Sequence, residues 1–190
     1  TEIDGSIDLS PLTISSNPFE WIIEKISTHS SKGSVTHCFL TPRELIRRAG
    51  FWNENLKINQ DGEFFTRVLL QAQEIHFEMN TQVYYRRHQN PSVSKSRTSD
   101  HVTSSIEACK RIAFHLLQRK DDQRVRQALR QMYLGVIHTY YPEFSHELKE
   151  AEYAILELGF ESLGTFGGPN FQRLSRIIGF KNALRLRSLM

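Results

Sequence analysis

Apolar residues in the second half of the chain recur three and four positions apart, the spacing of one face of an α-helix. Polar residues and Pro142 separate three such stripes, and Gly159 closes the third. The pattern predicts three amphipathic helices packed through these faces, followed by a partly basic helix from about Phe171. The stripes consist of Val102, Ile106, Cys109, Ala113 and Leu116; of Val125, Leu129, Met132, Val136 and Tyr140; and of Phe144, Leu148, Ala151, Ile155 and Leu158.

The first half of the chain mixes helical spacing with short runs of β-branched and aromatic residues. Helices are predicted to begin near Asn17, Pro42 and Gln60, and Gly50 is predicted to end the second of them. Three short runs predict strands because Val, Ile, Tyr and Phe favour extended backbone. These predicted strands are 35–40, 74–77 and 82–86.

A polar segment divides these two patterns. Residues 88–100, HQNPSVSKSRTSD, contain few apolar positions and read as a connecting segment. We therefore predict two domains, 1–97 and 98–190. The predicted fold class is α/β, mostly helical by content, because strands and helices alternate in the first part and only helices follow.

Composition places the chain among globular proteins, with 39% hydrophobic and 24% charged residues. There is no apolar run long enough to span a bilayer and no basic-then-apolar leader. Cys38 and Cys109 are too few for a disulfide framework, so we expect a cytoplasmic location. A net charge of +3, without basic residues interleaved with aromatic ones, argues against a nucleic-acid partner.

Two segments carry a recognisable order of motifs. TPRELIRRAGFWNENLKINQDGEFFTRVLL joins a short helix, an aromatic turn and an acidic helix start, and VYYRRHQNPSVS follows it. Together they resemble the C-terminal half of family 2 glycosyltransferases over roughly residues 17 to 97. The resemblance implies that residues 1–97 form part of a GT-A-type domain, with 98–190 as a helical extension. It also implies inverting transfer of a sugar from a nucleotide-sugar donor to a hydroxyl, such as that of a saccharide.

Within that resemblance, QDGEFF matches the acidic motif that supplies the general base. This implies that Asp61 takes the proton from the acceptor hydroxyl as it attacks the anomeric carbon. Gln60 stands where the family usually has a glutamate. The resemblance also implies acceptor contacts from Trp52, Gln60 and Glu63.

The resemblance places the leaving diphosphate near the YYRRH segment. It implies that Arg86 and Arg87 contact phosphate oxygens and that His88 helps to bind a divalent metal, Mg or Mn. The Asp-x-Asp motif that usually holds this metal is absent from the sequence. We therefore expect the chain to be the C-terminal fragment of a longer enzyme and to be inactive alone.

Simpler structural interpretations stand beside each of these roles. Asp61 is also a good N-cap, Trp52 also fits a core, and Glu63 also suits the first turn of a helix. The alternative function is a non-catalytic helical module that binds a protein partner or a membrane surface, with homo-oligomers as one form.

The last segment of the chain, 170–190, has two readings. It carries five cations and no acid among apolar residues, so it predicts either a packed amphipathic helix or a peripheral contact with a membrane surface. The cations are Arg173, Arg176, Lys181, Arg185 and Arg187.

Overall fold

The computed structural model describes residues 17–28, 36–78, 80 and 97–189. Its elements are helices joined by turns and irregular segments. None of the helices in these ranges is long and apolar enough to cross a membrane. The elements are α1 (Pro18–Thr28), a 3-10 helix (Thr36–Cys38), α2 (Arg43–Ala49), α3 (Gln60–Leu70), α4 (Ser99–Arg119), α5 (Gln123–Tyr140), α6 (Lys149–Glu157), α7 (Pro169–Ile178) and α8 (Phe180–Ser188).

The predicted α/β fold is wrong, because no strand occurs among the described residues and a GT-A-type domain needs a central sheet. Of the predicted strand 35–40, residues 36–38 form the 3-10 helix and 39–40 are irregular. Residues 74–77 have no regular structure, and 82–86 lie outside the described residues. The ring of Phe39 stacks on Phe65 of α3 with centroids 4.0 Å apart. Phe39 therefore packs on a helix and not in a sheet. β-propensity alone does not distinguish these two environments.

The stripe predicted for α4 is confirmed, since all five of its residues are buried. In α5, Val125, Leu129 and Tyr140 are buried, but Met132 and Val136 are half-buried, and the fully buried Leu134 and Ile137 were not predicted. Val102, Ile106 and Leu116 of α4 and Val125 and Leu129 of α5 are completely buried against one another. Each such aliphatic side chain contributes about 1.5–3 kcal/mol by leaving water. The third stripe is buried, but its first residues are not helical: Phe144 and Leu148 pack on the core from a series of turns, and α6 begins at Lys149.

Helices from the first half join the same core. Trp21, Ile22 and Ile23 of α1 are buried with the α4 and α5 residues, and Leu69 brings the end of α3 into contact with them. The described parts of the two halves therefore share one hydrophobic cluster. The division of the chain at 97/98 stays a prediction.

The last predicted helix is two helices. Gly179 separates α7 from α8 with φ at +85°, a backbone conformation that side chains other than glycine rarely adopt. Phe180, Ala183 and Leu184 of α8 are buried, and the ring of Phe171 lies 6.2 Å from that of Phe180. The segment therefore packs on the helical array through one face, as predicted for a packed amphipathic helix.

Candidate functional site

The residues QDGE stand at the beginning of α3, directly after the turn that follows α2. α2 ends at Gly50, where φ is +83°, and the chain then runs through the aromatic turn to Asn59. Asn59 occupies the N-cap position of α3 in the left-handed region, with φ at +56°. Asp61 is therefore the second residue of the helix and not its N-cap, so the interpretation as a simple cap is wrong.

The start of α3 depends on a glycine. A Cβ on Gly62 would collide with the side-chain oxygen of Asn59, which lies against the first turn. The backbone N–H of Glu63 donates to the carbonyl of Asn59 at 3.1 Å, and that of Gly62 donates to Oδ1 of Asp61 at 2.9 Å. The Asn-x-x-Gly spacing thus lets the chain enter the helix while one Asp61 oxygen stays close to the backbone.

An almost fully buried ion pair holds the aromatic turn against α3. Nε of Arg67 donates to Oε1 of Glu63 at 2.7 Å, and Nη2 donates to Oε2 at 3.0 Å. The side chains are 13% and 3% exposed, respectively. The same guanidinium donates to the carbonyl oxygens of Ala49, Gly50 and Phe51, the last at 3.0 Å. Arg67 therefore ties the end of α2 to α3, and Glu63 orients Arg67.

The aromatic turn is anchored at its other end by α4. The backbone N–H groups of Lys57 and Ile58 donate to the hydroxyl of Ser104 at 2.8 and 3.3 Å. Leu56 is buried, and the Lys57 ammonium pairs with Asp100 at the first turn of α4. The turn is consequently fixed at both ends by contacts that are distant in sequence.

Trp52 lies on this turn with part of its ring open to solvent. Its indole packs on Phe64 of α3 with centroids 4.8 Å apart and remains 36% exposed. Trp52 is therefore neither a core residue nor a free surface residue. An aromatic face held in this way can stack on the apolar face of a sugar ring.

The negative charge of Asp61 acts on the ammonium group of Lys25 in α1. Burial lowers the pKa of Lys25, and the negative charge of Asp61 partly offsets that fall. The ammonium also lies 5.3 Å from the ring centroid of Trp21, a cation–π contact. Asp61 itself is half-buried, so its interaction with Lys25 is incompletely screened by water.

The structure brings together some of the residues predicted from the sequence. Trp52, Gln60 and Asp61 lie on one continuous turn and helix start, with Gln60 and Asp61 both half-buried. Glu63 is on the same turn of helix but faces Arg67. The acceptor-contact role of Trp52, Gln60 and Glu63 stays a prediction.

The donor-side residues cannot be placed in the same way. Arg86, Arg87 and His88 lie outside the described residues. Across the described ranges, no group of three or more His, Cys, Asp or Glu side chains could hold a metal ion. These ranges therefore do not themselves form the predicted Mg or Mn site.

The sequence analysis did not identify two residues of this region, Arg67 and Lys25. Arg67 follows Glu63 by four residues, a helical ion-pair spacing that was available as a signal. Lys25 belongs to a separate helix, and no local pattern links it to Asp61.

A cleft lies at the opposite end of α3. It has a volume of about 370 Å³ and is lined by Asn17, Phe19, Leu70, Gln73 and Arg119, among others. Asp61 and Leu69 are separated by about 12 Å along the helix axis, at 1.5 Å per residue. This cleft therefore does not include the acidic helix start.

Comparison with known proteins adds no relative. The chain matches no protein-family model, no curated protein and no solved structure.

Proposed function

We propose that this chain supplies the acceptor side of an inverting glycosyltransferase, with Asp61 as the general base. The observation that carries the proposal is the geometry of one unit: α2, the aromatic turn and α3 are locked together, so that Trp52 and Asp61 stand on the same fixed segment. The resemblance of the same residues to family 2 glycosyltransferases supports this assignment.

The proposed chemistry is a single displacement at the anomeric carbon. The carboxylate of Asp61 accepts the proton of the acceptor hydroxyl while the hydroxyl oxygen forms the new C–O bond. The bond between the anomeric carbon and the diphosphate oxygen breaks, and its electron pair leaves with the nucleoside diphosphate. The product is the inverted glycoside, and Asp61 is left as the neutral acid.

Two features of the described structure place positive potential near the carboxylate of Asp61. It lies in the first turn of an eleven-residue helix, whose N-terminal dipole favours a negative charge. Lys25 adds a positive charge from α1.

The donor side belongs to other parts of the protein in this proposal. Arg86 and Arg87 would bind the diphosphate and His88 would help to hold a divalent metal, which would offset the charge of the leaving group; all three lie outside the described residues. The 190 residues by themselves are then expected to transfer no sugar.

The test is the exchange Asp61→Asn in the product of the complete gene, assayed with a panel of UDP-, GDP- and dTDP-sugars. Asn keeps the size of the side chain but cannot accept the proton, so kcat should fall at least about 100-fold. Thermal unfolding should change little, because Asn is tolerated in a first helical turn.

The matched control is Asp121→Asn, which removes a carboxylate bonded to Arg126 on the connection between α4 and α5. It should leave transfer unchanged. Substantial activity in Asp61→Asn would overturn the role of Asp61, and a wild-type protein that uses none of the donors would overturn the function.

A further inference from the structure

The outward face of α7 combines cations with an exposed aliphatic residue. Arg173, Arg176 and Ile177 are three and four positions apart and are all exposed, so they share one face of the helix. Ile177 is 81% exposed. The buried side of α7 instead carries Ser175, with Phe171 partly buried near the helix start.

α8 repeats this arrangement. Arg185 and Leu186 lie on its exposed side, and Leu189, which follows the helix as its C-cap, is 83% exposed. Its opposite side packs into the core through Ala183 and Leu184. The apolar residues on the outer faces are therefore additional to those that hold α7 and α8 on the array.

The charge of these two helices is largely uncompensated. Residues 170–189 contain five cations and no acid. Among the described residues, Lys181 is the one cation of the five that pairs with a carboxylate, at 2.6 Å from Glu152. Arg185 lies over the ring of Tyr141, and Arg187 contacts His138. Neither contact brings a negative charge to the guanidinium.

We propose that α7 and α8 form a docking surface for an anionic lipid bilayer. The exposed aliphatic residues enter the boundary between headgroups and acyl chains, and the flanking arginines contact lipid phosphates. Charge complementarity selects this occupant, since the exposed arginines Arg173, Arg176 and Arg185, none of which pairs with a carboxylate among the described residues, attract an anionic membrane and repel a second copy of the same surface. The contact is peripheral, because neither helix can cross a bilayer.

This inference does not depend on glycosyl transfer and can be tested on the chain as it stands. The experiment is co-sedimentation with vesicles of phosphatidylcholine and phosphatidylglycerol, in parallel with vesicles of phosphatidylcholine alone. Binding is expected to the anionic vesicles only and to weaken as salt is added, because the attraction is screened.

Two double variants separate the two contributions. Arg173→Gln with Arg176→Gln should lower the vesicle partition coefficient about 25-fold, about fivefold for each neutralised cation near the surface. Ile177→Ser with Leu189→Ser should lower it at least about tenfold through the loss of buried apolar area. Circular dichroism should show both variants folded, since these side chains are exposed.

Matched controls change the same chemistry elsewhere on the surface. Arg43→Gln with Arg48→Gln on α2, and Leu40→Ser with Leu156→Ser, alter residues that are also exposed. The proposal predicts no comparable loss of binding in either control.

Three results would overturn it. The first is absence of binding, or equal binding to neutral vesicles, and the second is an equal effect of the α2 control. The third is a dimer in light scattering that the Ile177 and Leu189 variant abolishes, which would assign this face to self-association.

Discussion

At the scale of single residues, Arg67 has the largest set of directional contacts around the candidate site. It bonds both carboxylate oxygens of Glu63 and the carbonyl groups that end α2. A buried charge is stable only while its partner remains, because an unpaired carboxylate at 3% exposure has lost its hydration. The position of the first part of the aromatic turn, next to α2, therefore depends on this guanidinium.

We predict that Arg67→Ala destabilises the protein by about 3–5 kcal/mol, the usual cost of leaving one member of a buried pair without its partner. The measurement is the free energy of unfolding in urea. Replacing both members, as Glu63→Gln with Arg67→Met, should recover part of this loss because no buried charge remains.

Arg111→Ala is the control for this prediction. Arg111 pairs with Glu107 at the same i,i+4 spacing, at 2.7 Å, but both side chains are more than 40% exposed. Its loss should change the free energy of unfolding by no more than about 0.5 kcal/mol. Similar costs for the two substitutions would show that Glu63 is not effectively buried.

At the scale of elements, two arginines of α5 hold the connection between α6 and α7. Arg126 donates to the carbonyl of Leu158 at 3.1 Å, at the end of α6. Arg130 donates to the carbonyls of Leu163 and Ser162, both at 2.9 Å. Two side chains four residues apart on α5 thus hold the connection in place. They donate to carbonyl groups that have no hydrogen-bond partner within α6 itself.

Gly164 in this connection tests that arrangement. Its φ is +87°, and a Cβ there would collide with the guanidinium of Arg130. We predict that Gly164→Ala costs about 1–3 kcal/mol, because the backbone becomes strained and the Arg130 contacts must shift. Urea unfolding gives the value.

Gly168→Ala provides the comparison. Gly168 has φ at −68°, and a Cβ added there would meet no atom within 4 Å. Gly168 is an N-cap that makes no side-chain hydrogen bond. Gly168→Ala should therefore lower the free energy of unfolding by less than about 1 kcal/mol. Equal costs at the two glycines would contradict the role given to Arg130.

At the scale of the whole molecule, the described helices from both halves bury side chains in one cluster. α1 packs on α5, and α3 packs on α4, so the core crosses the boundary suggested by the polar segment 88–100. A shared core couples the unfolding of its parts, because neither half can expose its buried face without exposing the other.

We predict that the two halves unfold in one transition. The chain has two tryptophans, Trp21 and Trp52, both in the first half, whereas α4 and α5 dominate the helical signal. In a Trp52→Phe variant, fluorescence therefore reports on α1 alone. Its urea midpoint should coincide with that from far-ultraviolet circular dichroism. Separate midpoints would instead support two folding units divided near 97/98.

Sequence reasoning succeeded where burial follows from local spacing. Val102, Ile106 and Leu116 were predicted on one helix face, and all three are fully buried. The order of the helix, aromatic turn and acidic helix around Asp61 was also predicted, and the helix boundaries agree with it. The structure of segment 36–40 was not predicted correctly. A run of five residues has too few positions to distinguish an extended strand from a helical turn.

The sequence by itself determined the inner face of α4, since a period of 3.6 residues specifies a face without reference to any partner. It determined those of α5 and α6 only in part, because Met132 and Val136 are half-buried and Phe144 precedes α6. It also determined the cation excess of α7 and α8. Only the tertiary structure decided that Phe39 stacks on Phe65 and that Arg67 secures the end of α2. Those contacts join segments far apart in the chain, where local periodicity carries no information about which surfaces meet.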